Sequence, residues 1–279
     1  MAVAAIPILK VHGISKSFGN VQALKNVEFE LYPGEVHALM GENGAGKSTM
    51  GKIIAGIYSA DQGVIELSGK EVQINTPADA IANGIAIVMQ ELSSMPHLPV
   101  YENIFLGHKE IFKHGVILDK AQAVRRTKEL LTIFDMQNQI SPYAALGSLT
   151  VAERQIVEII KAVSYDSRII ILDEPTAGQD YEHYTEIMEF LKELNGQGYT
   201  IVMITHDMHL MLEYTSRAIV FSEGQLLADT SAVHVLNNPE LVRQANLKET
   251  SLYTLSVNCG IDNPQAFTEC FIRHEQEVR

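Results

Sequence analysis

An α/β fold, with helices on both faces of a mostly parallel sheet, is predicted by three observations. Segments of strand character alternate with segments of helical period along most of the chain. A glycine-rich turn, Gly41-Glu42-Asn43-Gly44-Ala45-Gly46-Lys47-Ser48, stands between a strand and a helix. A continuous apolar run, Ile169-Ile170-Ile171-Leu172, ends in two adjacent carboxylates, Asp173 and Glu174. A strand that is apolar on both faces belongs in a buried parallel sheet.

In chain order, residues 6–14 and 26–32 have strand character, the second alternating Val27, Phe29 and Leu31 with polar neighbours as a half-exposed sheet does. Residues 15–24 lie between them. Pro33-Gly34 turns into the strand Glu35–Met40, which feeds the glycine-rich turn, and a helix is expected from Lys47 to about Ala55. Gly63 opens a strand at 64–67, and Ser68-Gly69-Lys70 makes a tight turn into 72–74. Thr76 is placed to cap a helix with Pro77 at its first position. The segment 84–89 is a short buried strand ending at Gln90, followed by the loop 91–100. Helices are expected at 101–106, 120–134 and 151–164, the last with Val151, Ile156, Val157, Ile159 and Ile160 on its buried side. After the apolar strand 168–172 come a helix at 180–194, a strand at 200–204, a helix at 208–214, and strands at 218–221 and 226–228 joined at Glu223-Gly224.

Composition bounds the function. The 279 residues are 46% hydrophobic, enough for a sizeable core. A net charge of −13 disfavours a nucleic-acid surface and a polybasic membrane contact. The only cysteines, Cys259 and Cys270, lack metal-ligand spacing and are expected to be small apolar residues in a reducing compartment. No basic leader is seen at the N-terminus, and no apolar run approaches the ~18–20 residues that span a bilayer, so any membrane role is expected to run through a partner.

The glycine-rich turn fits G-x-x-x-x-G-K-[ST], the phosphate-binding P-loop. Gly41, Gly44 and Gly46 let the backbone close on an anion, with Asn43 and Ala45 offering N–H groups between them. Lys47 is expected to reach the β- and γ-phosphates of ATP, Ser48 to offer its hydroxyl to Mg²⁺, and Thr49 to make a further phosphate contact. The apolar strand delivers its acids at the C-terminal edge of the sheet, where open α/β sheets bind ligands. There Asp173 would hold Mg²⁺ and Glu174 would polarise an attacking water, giving an ATP hydrolase.

The order of these motifs resembles the nucleotide-binding subunit of ABC transporters over about residues 7–230. By that resemblance Phe18 is the aromatic that stacks on adenine, and Gln90 is the glutamine that senses Mg²⁺ and the membrane partner. Thr150 lies in the signature segment, Asp180 is the aspartate six residues after Glu174, and His206 is the switch histidine at the γ-phosphate. The implied fold is a P-loop NTPase with a RecA-like core sheet, a small antiparallel β lobe and a helical lobe inserted at about 95–164. Residues 1–230 would form the ATPase domain and 231–279 a mainly helical extension. The implied partners are a second ATPase protomer, as homo- or heterodimer, and a transmembrane permease, with no nucleic acid. The implied place is the cytoplasmic face of the membrane. The signature departs from the family's LSGGQ: Thr150, Val151, Ala152 and Glu153 replace Ser, Gly, Gly and Gln. Ala152 is expected to hinder backbone approach and Glu153 to set a carboxylate near the polyanion, weakening closure.

Residues 8–172 are similar to the first ATPase half of ribose/galactose-type monosaccharide importers, which makes a monosaccharide the expected cargo. From about Gly178 onward the chain is similar to ATPases of energy-coupling-factor vitamin or cobalt importers. A composite joined near Asp173–Gln179 is therefore one expectation, with or without a physiological membrane partner. Separate best matches on either side would support it, and one uniform match would refute it. A soluble ABC-type ATPase acting on ribosomes or DNA is the remaining alternative, disfavoured by the acidic balance.

Overall fold

The computed structural model describes residues 6–90, 94–108, 112–113 and 117–278; the start of the loop after Gln90 lies outside the described residues. Strands β1 (Leu9–Phe18), β2 (Val21–Leu31), β4 (Gln62–Leu67) and β5 (Lys70–Val72) form an antiparallel sheet in the order β2-β1-β4-β5. A second sheet holds β3 (Val36–Met40), β6 (Ile85–Val88), β9 (Ile169–Asp173), β10 (Thr200–Ile204), β11 (Arg217–Ser222) and β12 (Gln225–Thr230). Its order is β12-β11-β3-β10-β9-β6, parallel throughout except for β12 at one edge. The short pair β7 (Phe112–Lys113) and β8 (Ile117–Leu118) stands apart.

Eleven helices are described: α1 (Lys47–Ile54), α2 (Pro77–Ala82), α3 (Val100–Phe105), α4 (Lys120–Ile133), α5 (Val151–Val163), α6 (Tyr181–Gly196), α7 (Met208–Tyr214), α8 (Ala232–Leu236), α9 (Pro239–Gln244), α10 (Ser251–Asn258) and α11 (Pro264–Val278). Thr76 caps α2 in a reciprocal capping box with Asp79.

Side-chain alternation explains why the central strands carry no polar face. Ile169 and Ile171 of β9, with Val202 and Ile204 of β10, join one cluster with α1 and the antiparallel sheet. Ile170 and Leu172, with Ile201 and Met203, join another cluster on the opposite face with α3 to α6. Both faces are covered, so each residue in the run is buried, a contribution of about 1.5–3 kcal/mol per large aliphatic side chain. A third cluster ties the C-terminal helices to the sheet, through Ala38 and Met40 of β3, Val220 of β11, and Val235, Leu252 and Ile272.

Three expectations are corrected. Residues 15–24 are not a connection outside the strands: β1 and β2 continue through them to a two-residue turn at Gly19-Asn20, with Phe18 paired to Val21 and Gly19 at φ 58°. Ser15, Lys16, Ser17 and Gln22 hid the strand because this end of the hairpin is exposed and its register is bulged. Val151 is 42% exposed rather than on the buried side of α5, because the core-facing stripe starts at Ala152 and continues through Ile156 and Ile159, one step round the helix from it. Cys259 and Cys270 are both exposed rather than packed as apolar residues.

Candidate active site

The parallel order brings the C-terminal ends of β3, β10, β9 and β6 to one edge of the sheet. Each end leads directly into one of the segments singled out above: Gly41 after β3, His206 after β10, Asp173-Glu174 at β9, and Gln90 after β6.

Two glycines of the P-loop leave no room for a Cβ. Gly41 takes φ 137°, and a Cβ there would come within 2.2 Å of the Phe221 carbonyl oxygen. Gly46 takes φ 106°, and a Cβ there would meet the Ala23 carbonyl and Leu24 Cδ2, each at 2.7 Å. Gly44, at φ 84°, faces open space, and with Asn43 it forms the exposed lip of the loop. Ala45 is buried; its carbonyl accepts from Gly224 N at 3.2 Å, which fixes the loop against the β11–β12 turn. Gly46 caps α1 with no side-chain bond, so the first N–H groups of that helix are left to an anion.

Lys47 is 6% exposed and its ammonium donates to the carbonyls of Gly41 and Glu42, both at 2.8 Å. Burial pushes its pKa below the ordinary lysine value, while Glu174, Asp173 and Glu42 oppose the shift. Ser48 donates its hydroxyl to Asp173 Oδ1 at 3.0 Å, across 125 residues of sequence. Thr49 follows, half-buried in the first turn of α1. The hydroxyl and carboxylate together are a hard-oxygen pair of the kind that suits Mg²⁺.

Glu174 leaves β9 in the left-handed region, at φ 52°, a conformation that costs a non-glycine residue about 1 kcal/mol or more. It is held there by its N–H, which donates to the Ile204 carbonyl at 2.8 Å, and by its own carbonyl, which accepts from Ala177 N at 3.1 Å. The turn aims its carboxylate at His206, whose Nδ1 lies 2.9 Å from both carboxylate oxygens. Glu174 is 15% exposed at the side chain and His206 is 70% exposed, so this pair faces outward from the rim.

Phe18 stands at the tip of the β1–β2 hairpin, 43% exposed, edge-on to Tyr58 at 5.2 Å, with the Lys16 ammonium 5.5 Å from its ring centre. Exposure leaves it available as a stacking surface rather than as core. The same hairpin reaches the P-loop through Ala23 and Leu24. Gln90 is exposed just beyond β6, on the edge that carries Asp173.

Thr150 and Asp180 each cap a helix of their own. Thr150 caps α5, accepting from Glu153 N at 3.1 Å, while Glu153 Oε2 accepts from Thr150 N at 2.7 Å. The Glu153 carboxylate is thus turned back onto its own helix end. Ala152 is fully buried, so its methyl points into the core and does not hinder approach from outside. The exposed substitution is Val151. Asp180 caps α6, accepting from His183 N at 3.0 Å, with its Oδ1 2.6 Å from His183 Nδ1.

Two residues near the site escaped sequence reasoning. Tyr58 supports Phe18 from the turn after α1, and Asn246 donates to Glu42 Oε2 at 2.8 Å. Their sequence distances from these partners, 40 and 204 positions by number, leave no local pattern to read.

A family model described as "ABC transporter" matches residues 24–177. The chain is 43% identical over 240 residues to the "Putative ribose/galactose/methyl galactoside import ATP-binding protein 2" of Burkholderia lata, covering 86% of the chain and 45% of the relative. It is 37% identical over 286 aligned positions to the "Putative ABC transporter ATP-binding protein" of Enterococcus faecalis, covering 100% of the chain and 48% of the relative. The chain therefore spans about half the length of these curated relatives. A crystal structure of the ADP conformation of an ATP-binding cassette of an ABC transporter superposes with a TM-score of 0.77 at 25% identity, covering 86% of the chain and 98% of that cassette. A dimeric post-hydrolysis cassette bound to ADP and Pi gives 0.66 at 25% identity, covering 80% of the chain and 98% of that cassette. The composite expectation is corrected by these matches. One relative covers 100% of the chain, and the sugar-importer similarity, over 240 residues, is too long to stop at residue 178.

Proposed function

The chain belongs to the ABC transporter family, and on that premise we propose that it is an ATP-binding and ATP-hydrolysing module that powers import, with a monosaccharide as cargo. One observation carries the reading. Ser48–Asp173 and Glu174–His206 converge at the ends of three adjacent parallel strands, beside a P-loop whose lysine is buried. The sugar class is supported by the 43% identity to a relative named for ribose/galactose/methyl galactoside import.

In this reading ATP lies on the P-loop with its phosphates toward Lys47 and the α1 N-terminus, and its base against Phe18. Asn43, Gly44, Ala45 and Thr49 complete the phosphate cradle. Ser48, Asp173 and Gln90 would hold Mg²⁺, which would supply charge neutralisation at the β- and γ-phosphates. Glu174 orients the attacking water and His206 carries the hydrogen bond that orients Glu174. Catalysis is then positioning and electrostatics rather than covalent chemistry.

Thr150 and Asp180 stand at the N-termini of α5 and α6, where their side chains cap those helices. Both are proposed to act on nucleotide held by a second ATPase module, as copy or as different half. A permease supplies the membrane: among the described residues no helix is long and apolar enough to cross one. The module is proposed to sit at the cytoplasmic face through that permease, without nucleic acid.

Steady-state ATP hydrolysis tests the proposal. The expected result is Mg²⁺-dependent turnover that RNA and DNA leave unchanged. Absence of turnover, or clear stimulation by nucleic acid, would overturn it.

A further inference from the structure

We infer that Asn246, in the C-terminal segment, is a positioning residue for the nucleotide site, an inference that rests on the function proposed above. Helix α9 ends in a way that places this residue with care. Asn246 N donates to Arg243 O at 3.1 Å, and Leu247 N reaches back to Val242 O at 2.8 Å. That pattern puts Asn246 in the left-handed region, at φ 51°. Glycine is the usual occupant of such a position and asparagine the side chain that tolerates it best. A glycine would end the helix equally well; the amide does something else. It donates to Glu42 Oε2 of the P-loop at 2.8 Å.

A second bond fastens the same helix end. Ser222 Oγ, at the tip of β11, donates to the Gln244 carbonyl at 2.9 Å. Phe221, one residue earlier, is the strand carbonyl that presses on Gly41. The segment after α9 is therefore pinned on both sides of the outer limb of the P-loop. Together they enclose a groove of about 440 Å³, lined by Gly41, Asn43, His206, Met208, Leu247 and Lys248 among others.

Glu42 matters twice to Lys47. Its carbonyl accepts from the ammonium at 2.8 Å, and its carboxylate is one of the charges that oppose the lowering of the lysine pKa by burial. Holding the Glu42 side chain through Asn246 fixes the carbonyl that aims Lys47 and the Asn43 lip beside it. Docking of the C-terminal segment and binding of nucleotide are then linked, and each strengthens the other.

The test is the pair Asn246→Gly and Glu42→Ala, with the double variant, in the full chain. Asn246→Gly keeps the helix ending and removes only the amide, and relief of the left-handed backbone offsets part of the lost bond, so its thermal midpoint is expected to shift by only a few degrees, about 5 °C or less. The expected result is a rise of about three- to tenfold in Kd and KM for Mg-ATP, less than the full worth of a hydrogen bond to a charged group because the bond acts on the phosphates only through Glu42 and Lys47, with kcat unchanged. The double variant is expected to be no weaker than Glu42→Ala alone. An unchanged Kd in Asn246→Gly, or effects that multiply in the double variant, would overturn the inference. Failure of the unaltered chain to bind ATP would instead overturn the function on which it rests.

Discussion

His206 Nδ1 lies 2.9 Å from both carboxylate oxygens of Glu174, and the same glutamate donates its N–H to Ile204, two residues before the histidine. The two bonds close a ring between the ends of β9 and β10. The backbone bond explains how Glu174 is held at φ 52°, and the side-chain bond explains what that conformation is for. The carboxylate is aimed along the strand edge toward the P-loop limb and away from the sheet interior. Removing the imidazole by His206→Ala is expected to lower kcat by about 10²-fold or more, the scale of a lost orienting or acid–base group, while Kd for ATP changes little. An unchanged kcat would mean that the pair is only structural.

Lys47→Ala is expected to weaken ATP binding by about 30- to 100-fold, since a charge-assisted bond to phosphate is lost and two loop carbonyls lose their shared donor. Titration calorimetry reads this directly. Equal affinity in the variant would place the nucleotide elsewhere.

Gly46→Ala and Gly44→Ala separate shape from strain in the P-loop. Both positions have positive φ, but only Gly46 has a carbonyl and a methyl within 2.7 Å of a new Cβ. Gly46→Ala is expected to abolish ATP binding and to cost about 1–3 kcal/mol of stability or more, whereas Gly44→Ala carries the left-handed cost of about 1 kcal/mol alone. Denaturant midpoints compare the two, and equal losses would contradict the geometry.

Thr150→Ala removes the acceptor that caps α5 and is expected to destabilise the chain by about 1 kcal/mol. Glu153→Gln keeps the bond to Thr150 N and deletes the charge at the face proposed to meet a second nucleotide. In a Glu174→Gln background with Mg-ATP, light scattering is expected to show more of the two-module species for Glu153→Gln than for Glu153. Less of it would mean that the carboxylate assists closure.

His37 supplies a pH dependence of stability. It is fully buried in β3 and accepts from Tyr32 N at 3.3 Å through Nε2. Burial pushes its pKa down to about 4, with Arg217 nearby adding to the shift. The unfolded chain therefore binds a proton between about pH 6.5 and 4 that the folded chain does not, so stability falls as pH drops through that window and levels off below it. The full loss is about 3 kcal/mol by linkage. His37→Gln keeps an acceptor for Tyr32 and has no proton to take up. Between pH 7 and 4.5 the unfolding midpoint of the unaltered chain is expected to fall by more than that of His37→Gln, and parallel acid limbs would contradict this.

Much of this site was legible because its chemistry sits in contiguous motifs. The spacing from Gly41 to Ser48 and the run from Ile169 to Glu174 each carry their own strand and turn, so both location and partner could be read from the string. Surface strands were less legible. Residues 15–24 pair in the hairpin through backbone bonds, which leave no apolar alternation where the sheet meets solvent. The signature substitutions were legible in position but not in direction: periodicity does not say that Ala152 points inward while Val151, one step earlier, points out. Asn246 was not legible at all, because only the folded chain brings the end of α9 to Glu42.

Glu174 is the group proposed to drive hydrolysis of ATP held by the P-loop. The most direct test is Glu174→Gln, an isosteric change that keeps an oxygen facing His206 and removes the charge. Mg-ATP affinity and turnover are measured on the same preparation. The Kd is expected to stay within about twofold of the unaltered chain and kcat to fall by about 10²- to 10⁴-fold. Turnover close to that of the unaltered chain, or loss of ATP binding in a folded variant, would contradict it.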